Sequence, residues 1–136
     1  MRKLLPLFFL FITVMLATAC KKDAKIAPSI SITGVWHLDY DKSTYYEDGK
    51  VVDEKAYGYP ETFTMIFNDD KTGKFIISDF NYTLKGDIIH FIYSDYEVDG
   101  VIASKTDKDM VITFDHFSNS NKGSETGYRL TEHLYK

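Results

Sequence analysis

From Gly34 onward, polar and apolar residues alternate over short runs, and no helical period of useful length develops. β-rich runs cut by turn signals at short intervals predict an all-β domain, a sandwich or a barrel. Gly34 to about Glu47 is the first run, closed by Asp48-Gly49, a hairpin dipeptide that tolerates positive φ. Glu61 to Phe67 sets Phe63, Met65 and Phe67 against Thr62, Thr64 and Ile66, and Asn68 to Gly73 then turns the chain. Lys74–Ser78, Asn81–Lys85 and Ile88–Ser94 follow, the last two joined through Gly86-Asp87. Tyr96–Val98 and Val101–Lys105 flank Asp99-Gly100, read as a second hairpin turn. Met110–Phe117 alternates Met110, Ile112 and Phe114 with Val111, Thr113 and Asp115; a polar loop from Ser118 to Gly123 leads to a last strand, Ser124–Tyr135. The expectation is a small eight-stranded antiparallel meander, which removes both edges by closing on itself. Val51 to Pro60 has no clear period and is expected to be a loop or lid near one rim. An eight-stranded barrel either fills with side chains or holds one small ligand. The inward positions Phe63, Met65, Phe67, Met110, Ile112 and Phe114 are bulky and favour a small or absent cavity.

The first residues follow a different pattern. Arg2 and Lys3 precede an uncharged apolar stretch from Leu4 to Ala19, which is short for a membrane-spanning helix of roughly 20 residues. A positive start, an apolar core and small residues before a cut site form an export signal. Leu16-Ala17-Thr18-Ala19-Cys20 resembles the lipobox, in which the cysteine is acylated and becomes the mature N-terminus. Cys20 is the single cysteine, so it has no disulfide partner within the chain, and lipidation accounts for it. The expected organisation is a signal peptide over 1–19, a lipidated tether over 20–33 and the barrel over 34–136. Lys22-Asp23 resembles, in part, the signal that sends Bacteroidota lipoproteins to the outer face of the outer membrane; a solvated linker is the plain alternative. Losing Arg2 and Lys3 takes 16 basic residues to 14 against 20 acidic ones, a mature net charge of −6. That balance argues against nucleic acid and leaves membrane attachment to the acyl chains of Cys20.

Gly34-Val35-Trp36 at the head of the first strand resembles the glycine–x–tryptophan opening of lipocalins. The Asp70-Lys71-Thr72-Gly73 turn and the Gly86-Asp87-Ile88-Ile89 restart are similar to the lipocalin-like domain of Bacteroidota lipoproteins. The resemblance covers Gly34 to the C-terminus and implies an eight-stranded barrel closed at the tryptophan end. It further implies that a basic side chain of the last strand covers Trp36. Arg129, the single arginine of the mature chain, is the expected partner. The same geometry places the open rim opposite Trp36. Tyr45, Tyr46, Tyr57 and Tyr59, with Phe63 just below, are then expected to line or gate a ligand mouth.

Other chemistry finds little support. His37, His90, His116 and His133 lack ligand spacing, so no metal is expected. Asp95 to Gly100 mimics half a calcium loop, but Thr106 stands where a glutamate is needed, and a tight turn explains Asp99-Gly100. No nucleophile–base motif marks a catalytic site, and neither enzymatic activity nor a cofactor is expected. Asn81-Tyr82-Thr83 is read as a chance sequon. Two readings of function remain. One is a membrane-anchored, non-enzymatic binding module for a small apolar ligand. The other is a structural or interaction lipoprotein whose filled barrel contacts a protein partner through its loops.

Overall fold

The computed structural model describes residues 31–119 and 123–136. The expected signal peptide, Cys20, most of the tether and part of the Ser118–Gly123 loop lie outside the described residues. Nine strands follow in chain order: β1 (Gly34–Glu47), β2 (Lys50–Gly58), β3 (Thr64–Phe67), β4 (Thr72–Phe75), β5 (Ser78–Lys85), β6 (Ile88–Ile92), β7 (Glu97–Lys105), β8 (Asp109–Asn119) and β9 (Thr126–Tyr135). The fold is all-β. Strands β1 and β3 to β9 pair antiparallel in sequence order, and β9 returns to β1, closing an eight-stranded barrel to which β2 is added.

Strand β1 serves two neighbours in turn. Its first residues pair with β3, from Gly34 opposite Phe67 to His37 opposite Thr64. From Tyr40 onward the same edge pairs with β2. The Val51–Pro60 segment is therefore a strand rather than the loop expected from its missing period. Every residue of β2 is exposed, so no buried face imposes an alternation on its sequence. The Asp48-Gly49 turn that launches it has φ of 49° and 73°, the double positive φ of a two-residue hairpin. Together β2, the far half of β1, and the far halves of β8 and β9 form an arm that rises beyond the barrel.

Asp99-Gly100 is likewise not a turn. Strand β7 runs straight through it, with Asp99 opposite His90 and Gly100 opposite Ile89. Gly100 is buried, and a Cβ there would lie 2.8 Å from both Ile112 Cγ2 and Phe114 Cε1. Space on the inner face, not a positive φ, requires the glycine. Asp99 points the other way and holds His90 Nδ1 at 2.7 Å.

The interior is filled by side chains. Trp36, Leu38, Met65, Phe67, Phe80, Tyr82, Ile89, Phe91, Met110, Ile112 and Leu134 are all buried. Phe67 meets Tyr82, and Phe80 meets Phe91, edge to face at 5.2 Å. Fully burying such a side chain contributes about 1.5–3 kcal/mol. The Tyr82 hydroxyl donates to the Asn68 carbonyl at 2.8 Å, so its polar end is satisfied at the core's edge. The expected bulky inward set is borne out at Met65, Phe67, Met110, Ile112 and Phe114, while Phe63 packs against the core only partly buried.

Trp36 marks one end of the barrel, with Ile32 folded beneath it. The indole Nε1 donates to the Ile32 carbonyl at 2.7 Å, and the ring is fully buried. Its cations are Lys136, with Nζ 4.3 Å from the ring centroid, and Lys105 at 5.8 Å. Arg129 is not its partner. It lies opposite Thr44 and Asp115, well along the arm, and donates to both carboxylate oxygens of Asp115 at 2.6 and 2.8 Å. Strand parity is the reason: Leu134 faces inward opposite Leu38, so Arg129, an odd number of residues away, faces out.

Candidate binding site at the barrel mouth

The end opposite Trp36 is built from three pieces of rim. One is the β4–β5 turn at Ile76-Ile77, the next is the β6–β7 turn from Tyr93 to Tyr96, and the third is the base of the arm on β1, β8 and β9. Between them lies a recess of about 230 Å³ lined by Met65, Phe75, Tyr93, Tyr96, Val98, Phe114, His116, Leu130 and Glu132. Most of this lining is apolar or aromatic. Glu132 is the exception.

Alternation places it there. Leu130, Glu132 and Leu134 occupy successive inward positions of β9, so the carboxyl replaces what would otherwise be a core aliphatic. It is only 7% exposed, and its Oε2 has no hydrogen-bond partner among the described residues. Directly opposite on β1 stands Asp41, a second inward carboxylate. Burial first, and then the charge of Asp41, push the Glu132 carboxyl up to about 7. A buried acceptor without a donor costs about 1–3 kcal/mol, and more when charged. Among the described residues it is the one buried side-chain polar atom left in that state.

The other groups around the mouth pair or stack with one another. The Tyr59 hydroxyl donates to Asp41 Oδ2 at 2.6 Å. That bond, with burial, pushes the Tyr59 phenol up to about 12. Tyr93 and Tyr96 stack at 4.6 Å, and burial raises the Tyr93 phenol above its ordinary range. His116 stacks on Tyr128 at 4.6 Å, and Tyr128 lies 5.8 Å from Tyr45. An aromatic wall therefore continues up the inner face of the arm.

The aromatic residues expected at the mouth are not gathered as one group. Tyr45 is on the inner face of the arm, opposite Tyr128. Tyr46, one residue on, faces the other side, where it meets Phe117 edge to face and lines a separate depression of about 320 Å³ with Arg129. Tyr57 is opposite Asp41 on β2 and is 58% exposed. Tyr59 and Phe63 pack on each other at 5.1 Å beside the point where β1 changes neighbours, and Tyr59 reaches the mouth through Asp41. None of the five lines the recess itself. Glu132, Tyr93, Tyr96 and His116 do. The reading of the sequence missed Glu132, although a carboxyl between Leu130 and Leu134 in a strand of known parity was its signal.

A wider depression of about 640 Å³ crosses β3 to β6, but Asn68, Lys74, Asp79, Asn81 and Ser94 along it are exposed, and it contains no unpartnered buried group. The smaller recess, with its unpartnered buried carboxyl, is the candidate site. Compared with known protein families, curated proteins and solved structures, the chain matches none of them.

Proposed function

We propose that this chain is a membrane-anchored lipoprotein whose lipocalin-like barrel is a non-enzymatic binding module, with its ligand held at the mouth over Glu132. The observation that carries this reading is the unpartnered Oε2 of a buried carboxyl at the base of an aromatic recess. A small molecule with an apolar body and a hydrogen-bond donor would satisfy it. The recess of about 230 Å³ is below the range of about 300–1,000 Å³ usual for drug-sized ligands, so the ligand is small or enters only by one end. Gly34, where the chain enters β1, is at the Trp36 end. An acyl anchor at Cys20 would therefore attach behind the closed end and leave the mouth facing solvent, on the outer membrane of the cell. Cys20→Ala should release the protein from membranes or leave it unprocessed. Native mass spectrometry of protein purified from its host should find a retained small molecule, lost in Leu130→Trp, which fills the recess. An empty protein, or a ligand retained by that variant, would defeat the reading.

A second reading, a filled barrel that contacts a protein partner, is favoured by β2. Among the described residues that strand pairs only with β1, and Val51, Val52 and Tyr57 are each more than half exposed. An open edge is a template for another chain, although Lys50, Asp53, Glu54 and Lys55 guard it with charge. A photo-cross-link from position 52 to one protein on host cells would support this reading.

A further inference from the structure

We infer that the molecule taken at the mouth is a small organic cation, an ammonium whose N–H groups donate to Glu132 Oε2 while its carbon skeleton lies against Phe75, Tyr93, Tyr96 and Phe114. This rests on the mouth being the binding site, and it names the chemistry of what binds there.

Three features of the recess point to it. The unmet group is an acceptor, so the ligand brings the donor, and a positive donor makes the stronger bond to a carboxylate. Asp41, opposite Glu132, adds a second negative charge to the same face, and among the described residues no lysine or arginine lines the recess. An anionic ligand would meet two carboxylates with no counter-charge, whereas a cation relieves the repulsion between them. The aromatic wall acts in the same direction. Ring faces attract cations, and cages of aromatic side chains are a recurrent way of holding ammonium groups. Phe114 is buried at the recess, and Tyr93 and Tyr96 present a stacked pair at the rim. The size of the recess limits the ligand to a single ring or a short chain.

The arrangement also sets a pH dependence. The groups around Glu132 are Asp41 on β1, Tyr57 on β2, Tyr59 in the β2–β3 connection, Tyr93 and Tyr96 at the β6–β7 turn, and His116 on β8. With its carboxyl pushed up to about 7, Glu132 holds a proton at acid pH that a cation must displace. Affinity for the cation therefore rises as pH increases through that value. His116 also lines the recess, so the test leaves it in place and changes only Glu132.

The full chain in zwitterionic lipid nanodiscs is titrated with benzylammonium, benzyl alcohol and benzoate by ligand-observed NMR, with protein-free nanodiscs subtracted. At pH 8 benzylammonium should bind at least tenfold more tightly than benzyl alcohol, and benzoate most weakly. Lowering the pH to 5.5 should weaken benzylammonium at least fivefold. In Glu132→Gln, which keeps His116 and the aromatic wall, the preference should fall below threefold and the pH dependence should flatten. Binding of benzyl alcohol as tight as that of benzylammonium, tighter binding of benzoate, or an unchanged preference in Glu132→Gln overturns the cation and leaves the mouth as a site. No binding of any of the three probes overturns both.

Discussion

Asp41 and Glu132 stand opposite one another on neighbouring strands and face the same side of the sheet, yet only Glu132 is buried. Its carboxyl is raised from 4.5 to about 7, so the folded state holds a proton that the unfolded chain releases. The consequence for stability has a definite sign. Below about 4.5 both states are protonated and Glu132 costs nothing through its charge. Between about 4.5 and about 7 the folded state binds more protons, and stability falls as pH rises. Glu132→Gln removes that loss. Its stability relative to the parent should rise by about 1–3 kcal/mol between pH 4 and pH 8, the amide's own unmet hydrogen bonds costing the same at both. Urea unfolding at the two pH values checks this, and a relative stability that does not rise between them would count against the site as described.

At the other end, the cation over the indole is Lys136, not Arg129. Trp36 is fully buried and hydrogen-bonded to Ile32, so Trp36→Ala should cost about 3–5 kcal/mol, as other large core truncations do. Lys136→Ala should cost about 0.5–1 kcal/mol from the lost cation–π contact. Arg129→Ala breaks an exposed bidentate pair with Asp115 and should stay within about 1 kcal/mol. Thermal or urea unfolding of the three variants ranks them. An Arg129 variant as damaged as the Trp36 variant would restore the pairing that the resemblance implied.

The barrel was legible because most of its strands carry their own alternation. Met65 and Phe67, and Met110, Ile112 and Phe114, each repeat every second residue, and the structure buries all five. Where the structure departs from the alternation, partners distant in sequence decide. Gly100 follows an aspartate and looks like a turn, but its need for glycine comes from Phe114 on the next strand. Strand β2 shows no alternation because neither of its faces is buried, so its pairing comes from the turn before it and the free edge of β1. Two of the differences follow from parity alone. Tyr45 and Tyr46 are neighbours in a strand and cannot share a face, and Arg129 is out of phase with the inward leucines of β9. Glu132 was legible by the same parity.

Gly100 offers a direct test of that long-range constraint. Its φ is not among the positive values, so alanine suits the backbone and fails only for want of room. Gly100→Ala should destabilise by about 1–3 kcal/mol through overpacking against Ile112 and Phe114. Phe114→Leu should give the new methyl space, making the double variant more stable than the sum of the two single losses. Strict additivity in urea unfolding would show that the clash is not with Phe114.

The rim beside the recess carries backbone strain at Ile76. Its φ is 57°, a left-handed conformation that a β-branched residue rarely adopts, and its amide donates to Thr64 O at 2.9 Å. Phe75, immediately before it, lines the recess, so this turn fixes one wall of the mouth. Left-handed backbone costs an ordinary residue about 1–2 kcal/mol relative to glycine. The usual order of alanine over glycine should therefore invert here. Ile76→Gly should be more stable than Ile76→Ala by about 1 kcal/mol, the two variants losing the same apolar contact. Ile77, 85% exposed and without positive φ, should keep the ordinary order, with alanine equal to or better than glycine. Thermal unfolding of the four variants reads the comparison without reference to any ligand. If alanine is better at both positions, the turn relaxes at little cost and the wall at Phe75 is not held by strain. If glycine is better only at Ile76, the rim is held in its strained form by the packing around it, and Ile76→Gly should bind benzylammonium no more tightly than the parent.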